Sequence, residues 1–273
     1  MFTYLNPEVR KKLIERGKLV RIDTDGRLID TTGSAPSGQR SVNLLGPVPL
    51  PLARGKLQPT AQWYASVRST ELSEVENLAG TLREQGGQHL FSQLASSMAI
   101  NSVLVIGDAE QATSPLVRVH SNCLTGDVFG SRRCECGPQL EAAIDRLADE
   151  PQGGYLIYMA GHEGRGIGLW AKAATYLLQD DGEDTYQANR SLGLPDDSRD
   201  FSDAATLLKY FGKDRPLRLL TNNPKKIDDL KAHGLHNIER IKHVSGVDDC
   251  NLRFLKAKRD WGHSIDDEDL DQQ

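Results

Sequence analysis

The sequence predicts an α/β fold in which helices flank a mixed β-sheet. From residue 101 onward, short apolar runs alternate with longer segments whose apolar residues recur at helical spacing. The chain has 273 residues, of which 38% are hydrophobic and 26% are charged, so it carries enough apolar surface for a substantial core. Strands and helices that alternate in this way favour a sheet with helices on its faces over an all-helical or all-β domain.

The two ends of the chain differ in composition from its centre. The stretch DTTGSAPSGQR is rich in Gly, Ser and Pro, so we predict that residues 1–40 form an N-terminal extension and linker. Residues 41–263 form the predicted main domain, which carries a polar helical insertion at about 64–97. Residues 264–273 are acidic and offer little to pack, so we expect a disordered tail.

The main domain contains strand patterns and helix patterns in alternation. The predicted strands are SVLVIG, PLVRVH, GYLIYM, the RLL at 218–220 and a segment near IERIKH. The predicted helices are PQLEAAIDRLADE, LWAKAATYLLQ, FSDAATLLKYFG and PKKIDDLKAHG. In the first of these helices, Leu140, Ile144 and Leu147 share one face, which is typical of a helix that packs on a sheet.

Charge and hydropathy exclude several classes of partner. The net charge is −5, so no global basic field attracts nucleic acid or an anionic membrane, and an anion site must be built locally. The longest apolar runs are too short to span a bilayer, and the first residues lack the apolar centre of a secretory signal. We therefore expect a cytoplasmic protein. In that reducing compartment, a tight cysteine cluster indicates a metal or catalytic site more than a disulfide.

Three of the four cysteines, Cys123, Cys134 and Cys136, lie close together in the sequence. Three thiolates without a neighbouring fourth ligand are typical of a catalytic zinc site with one open position. Two alternatives remain: reduced thiols that share a core, and a structural site closed by His120. Zinc deaminases use such ligand sets to direct hydroxide at a nucleobase carbon, so the cluster suggests hydrolysis at a purine or pyrimidine.

A glycine-rich segment, MAGHEGRGIGLWAK, joins a predicted strand to a predicted helix and holds Glu163 and Arg165. Such turns let backbone N–H groups approach phosphate, and the following helix N-terminus adds a favourable dipole. The spacing matches neither the dinucleotide-binding fingerprint nor the P-loop. An ordinary turn is the alternative interpretation.

Two further segments carry charges at the starts of helices. In LLTNNPKKIDDL, Lys225 and Lys226 fall in the first turn after Pro224, where the helix dipole disfavours cations unless an anion such as polyphosphate binds there. Solvated lysines are the alternative. In GLPDDSRDF, acidic residues surround Arg199 in a loop before a helix, and ordinary helix capping would also explain them.

Together these segments resemble the GTP cyclohydrolase II family, zinc enzymes that open the guanine ring of GTP at the entry to riboflavin synthesis. The resemblance covers roughly residues 101–263, with weaker support from about 41, and it runs through RVHSNCLTGD, RCECGPQLEAA, EGRGIGL, YLLQDDGEDTYQAN, LGLPDDSRDF and RLLTNNPKK. It implies the same fold, one zinc on the three clustered cysteines, and Mg²⁺ bound with the substrate triphosphate. It also implies release of formate and pyrophosphate, which leaves 2,5-diamino-6-ribosylamino-4(3H)-pyrimidinone 5′-phosphate. We also expect a homodimer.

The resemblance implies three catalytic residues: Asp197 as general base, Arg199 acting on the α-phosphate, and Tyr176 near the reacting ring. The family assigns Arg199 as the nucleophile of a guanylyl intermediate. A guanidinium stays protonated in proteins, so clamping the phosphates is the less demanding role for Arg199. The implied GTP site comprises Arg118, Val119, His120, Ser121, Asn122, Gln139, Glu163, Gly164, Arg165, Thr185, Thr221 and Lys226.

The chain departs from the family pattern in its active-site segments. Asn122 stands where the family usually carries Glu before the first zinc-binding cysteine. His162 and Gly166 stand where Gln and Asn are more usual. Two alternatives therefore stay open: a diverged paralogue that stops at the formamidopyrimidine or uses another nucleotide, and a non-catalytic zinc-containing nucleotide-binding protein.

Overall fold

The computed structural model describes residues 5–33, 40–73, 78 and 99–271. Within these residues, nine strands form one sheet: β1 Leu19–Asp23, β2 Leu28–Ile29, β3 Ser41–Pro51, β4 Thr60–Arg68, β5 Asn101–Ile106, β6 Leu116–Ser121, β7 Gly154–Met159, β8 Leu217–Leu220 and β9 Ile238–Ile241. Their order across the sheet is β2-β1-β3-β4-β5-β7-β6-β8-β9. The predicted α/β fold with a mixed sheet is confirmed.

The sheet has an antiparallel part and a parallel part. Strands β1 to β5 pair antiparallel with their neighbours, and β5 also pairs antiparallel with β7. Strands β7, β6, β8 and β9 run parallel to one another. The carboxyl ends of β6, β7 and β8 therefore open at the same edge, which is where ligands bind in open α/β sheets.

Helices cover both faces of the sheet. They are α1 Pro7–Glu15, α2 Cys136–Asp149, α3 Leu169–Asp180, α4 Thr185–Ser191, α5 Ser202–Gly212, α6 Pro224–Ala232, α7 Leu252–Asp260 and α8 Asp267–Leu270. Leu116 of β6 packs with α2, whereas its neighbour Val117 packs with α5 on the opposite face. Because side chains alternate along a strand, Arg118 and His120 project to the α2 face, where the thiols lie.

The predicted elements of the main domain lie close to the observed ones. The strand expected at residues 154–159 is β7 without change, and the four predicted helices correspond to α2, α3, α5 and α6. Helices α4 and α7 were not predicted.

The N-terminal residues take part in the sheet. The predicted boundary at residue 41 falls between two paired strands, since β1 pairs with β3 through residues such as Val20 and Leu44. Ile22 of β1 is fully buried in the main core. Residues 1–33 are therefore not a separate extension where the structure describes them, and the expected linker at 34–39 lies outside the described residues.

The predicted helical insertion at 64–97 does not include residues 64–68. Residues 64–68 belong to β4, which pairs with β3 on one side and with β5 on the other. A helical turn covers residues 69–73, and 74–77 and 79–98 lie outside the described residues.

The prediction of a disordered acidic tail was wrong as far as residue 271. Ile265 and Leu270 are buried against Leu255 in a small apolar cluster. Lys242 Nζ lies 2.6 Å from an Asp266 oxygen and 2.8 Å from an Asp269 oxygen, which offsets the acidic charge. In the described part of the chain, no helix is long and apolar enough to cross a membrane.

Candidate active site

A cleft opens at the carboxyl ends of β6, β7 and β8, and with its open mouth it encloses about 1120 Å³. The predicted site residues that line it are Arg118, His120, Ser121, Asn122, Cys123, Cys134, Cys136, Gln139, Gly164, Arg165, Tyr176, Thr185, Arg199, Thr221 and Lys226. Val119, Glu163 and Asp197 do not line the cleft, but each bonds to a residue that does.

The three clustered cysteines converge at one end of the cleft. Cys123 follows β6, and Cys134 and Cys136 lie at the start of α2. Their sulfur atoms all lie within 4.8 Å of one another, and the Sγ atoms of Cys123 and Cys134 are 3.6 Å apart. A tetrahedral zinc with Zn–S bonds of about 2.3 Å separates two sulfurs by roughly 3.8 Å, so the spacing fits zinc. No histidine or carboxylate among the described residues joins this ligand group.

The backbone of Gly126 passes close to the thiols, so a side chain there would crowd the sulfur atoms. A Cβ added to Gly126 would lie 3.1 Å from the Sγ atoms of both Cys123 and Cys134. The backbone N–H of Gly126 donates to Cys123 Sγ at 3.4 Å. Hydrogen bonds from the other two thiols lower the pKa of Cys123, and the hydrogen bond to Cys123 raises the pKa of Cys134. The three cysteines are therefore arranged so that their sulfur atoms could bind one small metal ion.

His120 does not belong to the ligand group, although the sequence left that possibility open. Its Nε2 lies 3.1 Å from both carboxylate oxygens of Asp127, and its ring stacks on Tyr158. Asp127 also accepts the backbone N–H of Cys123 at 3.0 Å. His120 therefore acts through Asp127 to fix the loop that carries the first cysteine.

Glu163 and Lys172 form a buried ion pair beside the thiols. Lys172 Nζ lies 2.6 Å from Glu163 Oε1 and donates to Cys123 Sγ at 3.1 Å. Glu163 Oε2 accepts the backbone N–H of Leu124 at 2.7 Å. Burial disfavours the ammonium, but Glu163 and the Cys123 thiolate outweigh it and raise the pKa of Lys172. Lys172 was not among the predicted site residues. Its position one helical turn before Tyr176 is the sequence feature that places both side chains on the same face of the helix.

Tyr176 lies next to the cysteine loop. Its hydroxyl is 3.1 Å from Thr125 Oγ1, and the Arg133 guanidinium lies 4.5 Å from the centre of its ring. Burial raises the pKa of Tyr176, so the hydroxyl keeps its proton at neutral pH. It is therefore available as a hydrogen-bond or proton donor at the thiol end of the cleft.

The two lysines in the first turn of α6 have different environments. Lys226 is only 4% exposed and donates to the backbone oxygen of Val119 at 2.6 Å. Burial first, and then repulsion from Arg118 and Arg199, lowers its pKa well below the usual value. Lys225 instead faces solvent and pairs with Asp229 at 3.2 Å. The alternative that these lysines are simply solvated therefore applies to Lys225 and not to Lys226.

Two arginines in the cleft have buried nitrogens without acceptors. No described residue accepts a hydrogen bond from Arg118 Nε or Arg165 Nη2. Arg165 adopts a left-handed backbone with φ of 61°, a strained state that costs roughly 1–2 kcal/mol, and its guanidinium stacks 4.0 Å over Tyr186. Burial lowers the pKa of Arg118 to about 10. Buried cationic donors that lack acceptors indicate a site for an anion.

Arg199 is held by Asp197. Its Nε donates to Asp197 Oδ1 at 2.9 Å and its Nη2 to Oδ2 at 2.7 Å. Burial opposes ionisation of Asp197, but the bonds from Arg199 outweigh it and lower its pKa to about 2. The remaining guanidinium nitrogen, Nη1, points to Ser121 Oγ at 3.4 Å. The pair thus fixes one cationic group at the edge of the cleft.

The other predicted contacts lie around these groups. Gln139 accepts from Arg118 Nη2 at 2.9 Å, and Thr221 Oγ1 accepts the backbone N–H of Asn223 at 3.1 Å. Thr185 is the first residue of α4, and its carbonyl accepts from Arg165 at 3.4 Å. Lining residues outside the predicted set include Arg133, Glu135, His162, Asn222, Asn223, Phe254, Lys258 and His263.

Asn122 lies between the thiol loop and β7. Its Oδ1 is 2.6 Å from the Tyr158 hydroxyl, and its Nδ2 donates to the Ala160 carbonyl at 3.3 Å. The same hydroxyl is 2.9 Å from Asp127 Oδ2. A glutamate at position 122 would place a second carboxylate beside the Asp127 carboxylate.

Comparison with known proteins supports the resemblance found in the sequence. Residues 83–242 match the family model of GTP cyclohydrolase II. Riboflavin biosynthesis protein RibBA of Mycobacteroides abscessus is 52% identical over 171 residues, which cover 61% of this chain and 40% of the relative. RibBA of Mycolicibacterium gilvum is 55% identical over 151 residues, covering 55% of this chain and 35% of the relative. The chain thus spans about two fifths of the length of the curated relatives it matches. Because the family match covers more than half of its residues, the chain belongs to the GTP cyclohydrolase II family.

Proposed function

We propose that this protein hydrolyses GTP at C8 of the purine and releases formate and pyrophosphate. The product is 2,5-diamino-6-ribosylamino-4(3H)-pyrimidinone 5′-phosphate, and the reaction is the first step of riboflavin biosynthesis. One observation carries the proposal: three converging thiols open onto the same cleft as Arg118 and Arg165, each of which has a buried guanidinium nitrogen that no described residue accepts from. The thiols suit chemistry on a base, and the cations suit a triphosphate.

Cys123, Cys134 and Cys136 would hold one zinc per chain, as supported by the spacing of their sulfur atoms. Zinc bound there would act as a Lewis acid and supply hydroxide at neutral pH. Lys172 donates to the Cys123 sulfur and, with Glu163, holds the first ligand in place. Tyr176, protonated and close by, orients or protonates the nitrogen that leaves C8.

Arg118, Arg165 and Lys226, which line the same cleft, would bind the triphosphate, and Mg²⁺ bound with the substrate would offset part of its negative charge. Asp197 is tied to Arg199 through two hydrogen bonds, which favours a role in orienting that arginine over accepting a proton. Arg199, whose charged form this carboxylate stabilises, is suited to clamp the α-phosphate.

Asn122 supports one alternative, a diverged paralogue that stops at the formamidopyrimidine or uses another nucleotide. Its neutral amide faces the cleft beside the thiols, where a carboxylate would add negative charge. We also propose a homodimer that works in the cytoplasm.

Incubation of the purified protein with GTP, Mg²⁺ and zinc, followed by mass spectrometry of the products, tests the proposal. The expected product lacks C8 and carries one phosphate. A product that retains the formyl group would favour the paralogue, and unchanged GTP would favour a non-catalytic nucleotide-binding protein.

A further inference from the structure

A carboxylate and an ammonium lie side by side in the wall of the cleft. Glu135 stands between Cys134 and Cys136 in the sequence and is only 2% exposed. Its Oε1 accepts a hydrogen bond from Nζ of Lys258, which comes from α7, and Gln139 Nε2 approaches the same oxygen at 3.5 Å. Glu135 and Lys258 both line the cleft.

The other carboxylate oxygen of Glu135 has no donor. Oε2 is buried, and no described residue donates a hydrogen bond to it. A buried oxygen without a donor costs free energy, and a ligand that supplies an N–H group would remove that cost. Lys258 has the opposite character, because an ammonium carries three N–H donors and only one of them is used by Glu135 Oε1. The pair therefore presents an acceptor and donors to a ligand in the cleft.

The ammonium of Lys258 is held in place by aromatic contacts. Its Nζ lies 4.9 Å from the centre of the Phe254 ring, which belongs to the same helix. Trp261, which follows α7, stacks on Tyr186 of α4 with the ring centres 4.2 Å apart. Because the helix and its cation are fixed before a ligand arrives, less conformational entropy is lost on binding.

The Watson–Crick edge of guanine has the matching pattern of groups. It offers O6 as an acceptor, and N1–H and the 2-amino group as donors. Adenine carries an amino group at C6 and an unprotonated N1, so it would turn a donor toward Lys258 and a lone pair toward Glu135. Enzymes that act on a base commonly recognise it through this edge, and two mismatched contacts in a buried site reject the wrong base.

We propose that Glu135 and Lys258 are the residues that select guanine: Glu135 Oε2 accepts from the 2-amino group and N1–H, and Lys258 donates to O6. This inference rests on the proposed function, because it takes GTP as the substrate. C8 lies at the imidazole end of the purine and the Watson–Crick edge at the opposite end, so the thiols and the pair would hold one base from two sides. Lys258 lies beyond residue 242, where the match to the family model ends.

Calorimetric titration of the zinc-loaded protein, without added Mg²⁺ to limit turnover, tests the acceptor. ITP differs from GTP only in lacking the 2-amino group, so the parent should bind GTP about tenfold or more tightly, as expected of a hydrogen bond to a charged group. Glu135→Gln should bring this ratio of Kd values close to one, because the neutral amide is a weaker acceptor. Glu141→Gln, at an exposed carboxylate of the same helix α2, is the matched control and should keep the parental ratio.

The triphosphate of 2-aminopurine riboside tests the donor, because this analogue keeps the 2-amino group and lacks O6. Lys258→Met should lower the preference for GTP over the analogue about tenfold or more. Lys256→Met, at an exposed lysine of α7, should leave that preference unchanged. Each result is a ratio of two Kd values for one variant, so a fraction of misfolded protein affects both nucleotides alike.

Equal affinities of the parent for GTP and ITP, or parental ratios in Glu135→Gln and Lys258→Met, overturn the inference. Formate released from GTP by that same parent leaves the proposed function standing. A preference for GTP that is lost in Glu135→Gln, in a protein that releases no formate, supports the inference and overturns the proposed ring opening. A parent that does not bind GTP overturns both.

Discussion

Replacing Lys226 by methionine should weaken GTP binding and, at the same time, stabilise the folded protein. The two effects share one cause. Lys226 is a buried cation whose protein partner is a neutral backbone oxygen, that of Val119, and whose charged neighbours include Arg118 and Arg199. A bound triphosphate would provide the negative charge that the folded protein lacks at this point.

The binding effect follows from the strength of hydrogen bonds to charged groups. Such bonds contribute about 1.5–3 kcal/mol, which corresponds to roughly 10-fold to 150-fold in affinity. Lys226→Met should therefore raise the Kd for GTP at least tenfold in a calorimetric titration. Lys225→Met is the matched control, because Lys225 is exposed and pairs with Asp229, and it should change the Kd little.

The stability effect has a defined sign. Because the pKa of Lys226 is lowered in the folded state, the unfolded chain binds more protons between the folded pKa and the ordinary value near 10.5. The free energy of unfolding therefore increases with pH across that window, and Lys226 destabilises the fold at lower pH. Methionine removes the cost of burying the ammonium, which for a buried charge amounts to several kcal/mol. The hydrogen bond to Val119 that is lost with it contributes roughly 1 kcal/mol, so the net effect is stabilising.

Urea unfolding at neutral pH should show a higher free energy of unfolding for Lys226→Met than for the parent. GTP binding should also raise the pKa of Lys226, so proton uptake on binding, and with it a buffer dependence of the binding enthalpy, is expected at pH values between the pKa of the free protein and that of the complex. An unchanged Kd in Lys226→Met, or equal effects from Lys226→Met and Lys225→Met, would refute the assignment of Lys226 to an anion site.

Three further predictions concern the thiol end of the cleft. Cys134→Ser should lose both zinc and ring opening, whereas Cys250→Ser, at an exposed cysteine outside the cluster, should keep them; metal analysis that finds no zinc in the parent contradicts this. Tyr176→Phe should slow formate release and leave zinc content unchanged, and equal formate rates would remove Tyr176 from the catalytic residues. Asn122→Glu should raise GTP turnover at least tenfold if the missing carboxylate assists the reaction, a lower bound set below the usual contribution of about 10²–10⁴ for acid–base assistance. Flat or lower turnover, together with a better substrate for the parent in a nucleotide panel, would instead support the paralogue.

The sequence was most informative where residue type and spacing both carry chemistry. The thiols could be recognised as a ligand set because three soft ligands occur together, and the structure places their sulfurs within 4.8 Å. The strand at 154–159 was predicted without error because it is a continuous apolar run flanked by turn residues. Lys226 was a candidate because a lysine in the first turn of a helix opposes the dipole.

Other features depend on contacts that no local pattern reveals. Strand β1 contains Arg21, which interrupts its apolar alternation, and this arginine is buried because Asp30 and Gly33 offer it backbone oxygens. Helix α7 has a polar sequence, yet it brings Lys258 into an ion pair with Glu135 beside the thiols. In the sequence, His162 is only a departure from the family pattern, and its hydrogen bond to Ser121 depends on the fold.

The most direct test of the account follows the C8 carbon and the terminal phosphates in one reaction. GTP labelled with ¹³C at C8 is incubated with the protein, zinc and Mg²⁺, and formate and pyrophosphate are quantified together by NMR. The account predicts labelled formate and pyrophosphate in equal amounts, and the loss of labelled formate in Cys134→Ser. Pyrophosphate without labelled formate, or labelled formate at the parental rate from Cys134→Ser, would contradict it.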